Sequence, residues 1–310
     1  MGLSLFEASK LNKGEVKRAG IIEHFARSSD LLRAMTFQNI EGGSLAYTVQ
    51  GKLPGVAFRG YNETYTPSTG VVNPETEHLR IAGGNLDVDR AMIKTRGQGI
   101  RTTHEMMKVT ALSLYLTDKI INGDSLADPR EFDGLRKRVV GSQLIPANLS
   151  APAGNSPLSL EALDTAIDEV DGATHLIMSP KMRLKLVKAA RSSVVGGDID
   201  ISKDEFGFQV TRYNNLPILL ADYDDLGQRI LDWDEVGPGG GTNSTSIYVV
   251  RFGDEYVSGI QNGTMEVEDL GLLDDGVTYR THVEWLMSMA VMHGRSCSRV
   301  WGITNADVTA

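Results

Sequence analysis

The chain has 310 residues, 41% of them hydrophobic and 23% charged, with a formal net charge of −9. That length allows one sizeable core or two modest ones, in a composition typical of folded proteins rather than disordered ones. The acidic balance argues against a nucleic-acid condenser, and no run of about 18 apolar residues could span a membrane.

The amino terminus, MGLSLFEASKLNKG, lacks the basic and apolar segments of a secretory signal, so the expected compartment is a cytosol. Residues 1–40 read as an amphipathic, mostly helical arm. Val16, Ala19, Ile22, Phe25 and Ala26 fall at helical spacings, and Asp30 is placed to cap a turn starting at Leu31. The next predicted helix lies some sixty residues away, so the apolar face of the arm calls for a partner surface on another chain. Residues 42–97 are rich in Gly, Thr, Tyr and Val and contain Pro54, Pro67 and Pro74. Alternation at 45–49 and 79–81 predicts strands, while positions 59–78 hold too few apolar residues for a core. An irregular stretch of this length is uncommon inside a compact domain. The expectation is an extended hairpin-like arm that acquires buried surface from a neighbour.

Residues 100–122 predict the clearest helix, a rod of over about 30 Å at 1.5 Å per residue. Met107, Ala111, Leu114 and Ile121 form one stripe, which Val109, Leu112, Leu116 and Ile120 widen, and Asn122-Gly123 gives the stop signal. Beyond the linker ANLSAPAGNSP (147–157) helix and strand alternate. Ser159 is placed to cap a helix bearing Leu160, Leu163, Ile167 and Val170, and 175–178 reads as a buried strand. Ser179-Pro180 opens a second helix, and 216–222 and 246–253 read as further strands. From 264 onward the pattern is strand-like. Two domains follow: an α/β insert over 142–262, and an α+β body built from the long helix and the last strands.

Enzyme and metal motifs are each incomplete. His104-Glu105 opens like a HExxH zinc site, but Lys108 stands where the second imidazole belongs. Gly51-Lys52 lacks the hydroxyl of a phosphate-binding loop, since Leu53 follows, and the earlier glycine is replaced by Ala46. The run Gly237-Pro238-Gly239-Gly240-Gly241 follows an acidic segment that would repel phosphate, and reads as a mobile surface turn. Residues 121–134, INGDSLADPREFDG, carry Asp124, Asp128, Glu131 and Asp133. A calcium loop started at Asp124 would place Leu126 and Pro129 at ligand and glycine positions, and one started at Asp128 would place Arg130 at a ligand position. The stretch therefore reads as a polar turn in which Asp128-Pro129 redirects the chain after the long helix. Cys297, the only cysteine, excludes an internal disulfide and a multi-cysteine metal site, and reads as a small buried hydrophobe. Trp233, Trp285 and Trp301 read as packing anchors. Lys181, Arg183, Lys185, Lys188 and Arg191 spread around one helix, as on a solvated face. No catalytic residue, cofactor site or metal site is predicted.

The order of these parts resembles that of tailed-phage major capsid proteins of the Hong Kong 97 fold. GIIEHFARSSDLLRAMTFQNIEG is similar to the N-terminal arm of that family, and LAYTVQGKLPGVAFRGYNETYTPSTGVVNPETEHLRIAGGNLDVDRAMIK to its extended loop. A helix ending in INGD and followed by DPREFDGL is the strongest single marker, and VTYRTHVEWLMSMAVMHGRSCSRVWGIT is similar to the closing strands. The resemblance implies an α+β, Hong Kong 97-like capsid fold with an N-terminal arm (1–44) and an extended β-hairpin loop (45–98). A peripheral domain with the spine helix (99–141 and 263–310) and an inserted axial α/β domain (142–262) complete it. It further implies a subunit that self-assembles into hexamers and pentamers of an icosahedral phage head enclosing double-stranded DNA. Phe25, Lys52, Phe58, Arg59, Tyr61 and Tyr65 are then expected at subunit interfaces, and Asp124, Asp128, Pro129 and Phe132 at a structural junction. The implied partners are further copies of the chain, a portal, decoration proteins and DNA held without sequence-specific contacts. Because the chain starts almost at the arm, the scaffold is expected to be a separate protein. The implied location is the virion, assembled in the cytoplasm of a bacterial host. An encapsulin-type shell around an enzyme cargo is the alternative implied by the same fold.

Overall fold

The computed structural model describes residues 3–4, 29–97, 99–190, 199–203 and 209–309. In chain order the first elements are strand β1 (Leu3–Ser4), one helical turn α1 (Asp30–Ala34) and β2 (Thr36–Asn39). Strands β3 (Ser44–Lys52), β4 (Val71–His78) and β5 (Arg80–Asp89) precede a short helix α2 (Arg90–Arg96) and the long helix α3 (Gly99–Asn122). The turn α4 (Leu135–Arg138) and β6 (Leu144–Pro146) lead to α5 (Leu160–Asp168), β7 (His175–Met178) and α6 (Pro180–Ala190). The remainder is β8 (Ile199–Lys203), β9 (Gln209–Tyr213), β10 (Leu216–Leu220), β11 (Ser244–Val250), β12 (Val257–Gln261), β13 (Glu266–Leu272), β14 (Thr278–Val291) and β15 (Cys297–Thr304).

These strands form two sheets and a separate hairpin. The first sheet runs β1-β2-β12-β14-β13, with β5 paired along β14 from Thr278↔Asp89 to Met287↔Arg80. The second runs β6-β15-β11-β7-β10-β9-β8, and among the described residues β3 and β4 pair only with each other. The second sheet is covered on both faces, which explains why β11 is buried along its whole length. Its period-two alternation divides two cores. Ile247 and Val249 face the core formed with α5 and α6, while Tyr248 and Val250 face the core shared with α3 and the first sheet.

Several expectations change against this architecture. The arm segment carrying Phe25 lies outside the described residues. Where it resumes, Ser29 rather than Asp30 caps the turn, its Oγ accepting from Leu32 N at 3.4 Å, and Thr36–Asn39 is a strand parallel to β12 rather than helix. The hairpin ends at His78, because β5 already belongs to the first sheet. The predicted boundary at 262 also misplaces two strands. Val257–Gln261 pairs with β14 and β2 in the first sheet, whereas Cys297–Thr304 sits between β6 and β11 in the second. Apolar runs report burial but not partner, so neither assignment could be read from the strand sequences alone.

The buried face of α3 is also rotated from the predicted stripe. Val109, Leu112, Leu116, Ile120 and Ile121 are buried together with Glu105, Ser113 and Thr117, while Met107 is 62% exposed. The polar members are accommodated by hydrogen bonds: Thr117 Oγ1 lies 2.7 Å from Ser29 Oγ and 2.8 Å from Ser113 O. Trp285 is fully buried, as an anchor should be, with its ring centroid 5.2 Å from that of Phe37. Cys297 is buried too, and burial pushes its thiol up to about 11.

The rotated face gives a direct test. Leu116→Ala is expected to cost about 2–5 kcal/mol in urea unfolding, as large-to-small core changes do. Met107→Ala should stay within about 0.5 kcal/mol. Equal losses at the two positions would return α3 to the predicted stripe.

Candidate functional site: the hairpin arm and its junction

Strand β3 alternates half-buried Leu45, Tyr47 and Val49 with exposed neighbours, and in β4 only Glu77 is not exposed. Beyond Lys52, itself exposed opposite Val71, residues 53–70 are exposed throughout. Leu53, Val56, Phe58, Tyr61 and Tyr65 are the large apolar side chains of this tip, and Phe58 and Tyr61 make no burying contact at all. Local bonds nevertheless give the tip a shape. Arg59 stacks 5.5 Å from the Tyr65 ring centroid and its Nη1 donates to Glu63 O at 3.2 Å. Gly60 N donates to Glu63 Oε2 at 2.7 Å, and Ser68 Oγ donates to Gly55 O at 3.0 Å. An exposed apolar patch presented on an ordered projection is a surface suited to contact with another chain.

The acidic stretch at the end of α3 is a folded junction. The helix stops at Gly123, whose amide donates to Lys119 O, and Gly134 N donates back to Gly123 O at 2.8 Å. The two glycines are required by proximity. A Cβ at Gly123 would overlap the carbonyl oxygens of Phe132 and Lys119, and one at Gly134 would lie 2.7 Å from Gly123 N. Asp124 Oδ1 accepts from Leu126 N and Asp128 Oδ1 from Arg130 N, turns characteristic of Asp. Pro129 occupies the turn between them. Asp133 Oδ1 accepts from Ser125 N at 2.8 Å, and Lys137 bridges Asp133 and Asp124. Glu131 accepts from the Tyr115 hydroxyl and pairs with Lys119 at 2.9 Å. Phe132 and Leu135 are buried beneath the turn. All four carboxylates thus have partners in their own chain.

The two regions meet at a contact that sequence reasoning missed. Glu77 of β4 receives both terminal nitrogens of Arg138, with Nη2 2.8 Å from Oε2, and its Oε1 also accepts from the Tyr47 hydroxyl at 3.3 Å. The same guanidinium donates to Asp133 O at 2.8 Å and to Met289 O of β14 at 3.2 Å. Burial, then the Glu77 carboxylate, push the Tyr47 phenol up to about 12, which keeps it a donor. Sixty-one positions separate Glu77 from Arg138, and no local motif joins them.

Other sequence candidates are absorbed into structure. The Gly-rich turn is pinned rather than loose: Asn155 Nδ2 donates to Gly241 O at 3.1 Å, and its Oδ1 accepts from Gly239 N. On α6, Lys181 pairs with Asp232 and Lys188 with Asp307, while Lys185 donates to Ala306 O over the Trp233 ring. Burial pushes His175 down to about 4, so it is neutral near pH 7. Among the described residues no group of three or more His, Cys, Asp or Glu is placed to hold a metal ion. Nor, among them, is any helix long and apolar enough to cross a membrane.

Comparison with known proteins fits this arrangement. The family model described as major capsid protein GP7 matches residues 12–149, under half of the chain, from the arm through the hairpin, α3 and the junction. No curated protein sequence matches. Among solved structures, the holo-SrpI encapsulin complex of Synechococcus elongatus PCC 7942 is similar with a TM-score of 0.63 and 15% identity, over 90% of this chain and 89% of that one. The capsid of the native GTA particle is similar at 0.61 and 12%, over 89% and 90%. Mycobacterium phage Ogopogo gives 0.57 and 16%, over 89% and 91%. These likenesses establish a Hong Kong 97-like capsid fold.

Lys137 makes the junction sensitive to acid. It lowers the Asp124 carboxyl by a hydrogen bond, helped by the Leu126 amide. For Asp133 burial acts upward, but hydrogen bonds from Ser125 and Lys137 outweigh it. Carboxyls lowered in the folded state stabilise above the unfolded value of about 3.9, and that contribution is lost as pH falls through the folded value. Lys137→Met should therefore be less stable than the parent at pH 7, with the gap narrowing below about pH 4. Urea midpoints at pH 7, 5 and 3 measure this, and a gap independent of pH would contradict it.

Proposed function

We propose that this chain, which carries the capsid fold and matches the major capsid protein GP7 family, forms the hexamers and pentamers of a phage-type icosahedral head around double-stranded DNA. The observation that carries the reading is the hairpin arm, whose ordered tip holds apolar side chains that its own chain leaves uncovered. Burying a large apolar side chain contributes about 1.5–3 kcal/mol. Leu53, Val56, Phe58, Tyr61 and Tyr65 together leave roughly 10 kcal/mol of gross burial to be realised on a second copy, before the costs of association. A head-to-tail contact of this kind repeats and must curve to closure.

In this reading Lys52, Phe58, Arg59, Tyr61 and Tyr65, with Phe25 of the arm, lie at subunit interfaces, while Asp124, Asp128, Pro129 and Phe132 shape the junction. The role is structural and not catalytic. DNA is enclosed without sequence-specific grip, which agrees with the net charge of −9 and with the internal pairing of the α6 lysines. A scaffold, a portal and decoration proteins complete the head, which is assembled in the bacterial cytoplasm. The likeness to the SrpI complex supports a second reading, a compartment shell around an enzyme.

Particle mass by light scattering, with negative-stain images of the same fraction, tests the reading. Closed shells or capsomer rings are expected. A monomer that remains monomeric when supplied with the products of neighbouring genes would sink it, and enzyme-filled rather than DNA-filled native particles would favour the second reading. Replacing residues 54–69 by a Gly-Ser turn should leave the melting temperature within about 2 °C and abolish shells.

A further inference from the structure

The arm is a lever. At about 3.3 Å per residue the nine residues of β3 extend roughly 30 Å, so a 10° tilt at the base moves the far end by about 5 Å. Docking of an apolar tip does not tolerate a displacement of that size. Among the described residues β3 and β4 pair with no other strand, so ladder hydrogen bonds reach the arm only through β5, which follows β4 after a single residue. Besides that continuity and the half-buried Leu45, Tyr47 and Val49, a small set of polar contacts holds the base. Leu79 N donates to Gly43 O at 2.9 Å, which closes the hairpin on itself. Asn262 Nδ2 donates to Gly42 O at 3.1 Å from an exposed turn. Among the described residues, Arg138 and Glu77 form the well-shielded link at the base, with side chains only 14% and 17% exposed.

The Arg138 link has the properties of a stop rather than a swivel. Two parallel bonds between a planar guanidinium and a carboxylate fix an angle as well as a distance. The guanidinium is itself held by Asp133 O from the junction and Met289 O from β14, so it cannot follow the carboxylate if the arm swings. Tyr47 holds the carboxylate from the other strand of the hairpin. We infer that Arg138 and Glu77 are positioning residues that set the angle at which the hairpin arm leaves the body, and thereby place its tip for docking on the neighbouring copy. The second half of this inference rests on the assembly reading above; the first half does not.

Glu77→Gln tests both halves with separate readouts. It removes charge from the hairpin only and keeps the side-chain shape, while Glu75→Gln, two residues away on the same face of that strand but exposed, controls for charge. In unassembled subunits, spin labels at Thr66→Cys on the tip and Glu161→Cys on α5 report the arm-to-body distance. The parent and Glu75→Gln should give one narrow distribution, and Glu77→Gln a broadened or shifted one, at an unchanged melting temperature. In assembly, Glu77→Gln should reduce the yield of closed shells by about tenfold or more. A narrow, unshifted distribution in Glu77→Gln overturns the positioning role whatever the shells do, and a broadened distribution with normal shells overturns its link to docking. Absence of shells from the parent itself overturns the assembly reading and leaves the distance result to decide the arm's angle. If Glu77→Gln lowers the melting temperature, Glu77→Asp retains the charge but withdraws it by one methylene, and the same distance criterion applies.

Discussion

Strand β14 is the constraint on which the rest of the body depends. One edge pairs with β5 over ten residues, and the other with β13 and then β12. With both edges occupied, its inward side chains have a fixed register, and Val283, Trp285, Met287 and Met289 enter the same core as Leu116 and Ile120 of α3. A one-residue slip would turn that whole set outward. The strand's backbone also reaches the functional region, since Met289 O is one of the acceptors that immobilise Arg138. Core packing and the direction of the arm are therefore connected through one strand.

Several charged side chains of this protein are paired within the chain. Arg299 and Glu235 form a buried pair at 2.9 Å in the second sheet, with Ser246 accepting from Arg299 Nε. Arg280 pairs with Asp87 across β14 and β5. Arg101 joins Glu105 and Asp269 beside Tyr279. An exposed pair such as Arg280–Asp87 adds about 0–1 kcal/mol, and in a buried pair such as Arg299–Glu235 desolvation offsets much of the attraction, so their importance is not chiefly stability. A cation already matched to a carboxylate contributes little to binding polyanions.

The elements with strong local periodicity were legible. The long helix, the buried strand at His175–Met178 and the second helix with Ser179 and Pro180 at its start are all present. Their faces and partners were less so. The α3 stripe was placed partly on Met107 because Ser113 and Thr117 look like surface residues until Ser29 is brought beside them. Strand β15 falls in the run that reads as strand-like and β12 falls outside it, and the sheets of both are decided by pairing across 26 or more residues. In the junction, the failure of Asp124 and Asp128 to fit a calcium loop was readable directly, because ligand spacing is a local property. Glu77 carried no such signal. It is one of several acids in a polar strand, and only the fold brings Arg138 to it.

A subunit that docks on copies of itself, as proposed for this chain, faces two requirements that oppose each other. Its reaching segment must leave apolar surface uncovered, which a compact domain would bury, and yet must hold that surface in one place. Uncovered apolar area comes from a long loop with few internal contacts, and such loops are ordinarily mobile. Here the requirements are divided along the chain. The tip keeps only short-range bonds, such as those of Glu63 to Gly60 and Arg59, which shape it without covering it. Direction is supplied about 30 Å away, where a shielded ion pair is affordable because Asp133 O and Met289 O already satisfy the rest of the guanidinium. An apolar contact at that base would be non-directional and would permit rotation. A bidentate pair is directional, which is why a charged residue occupies the only shielded position of β4.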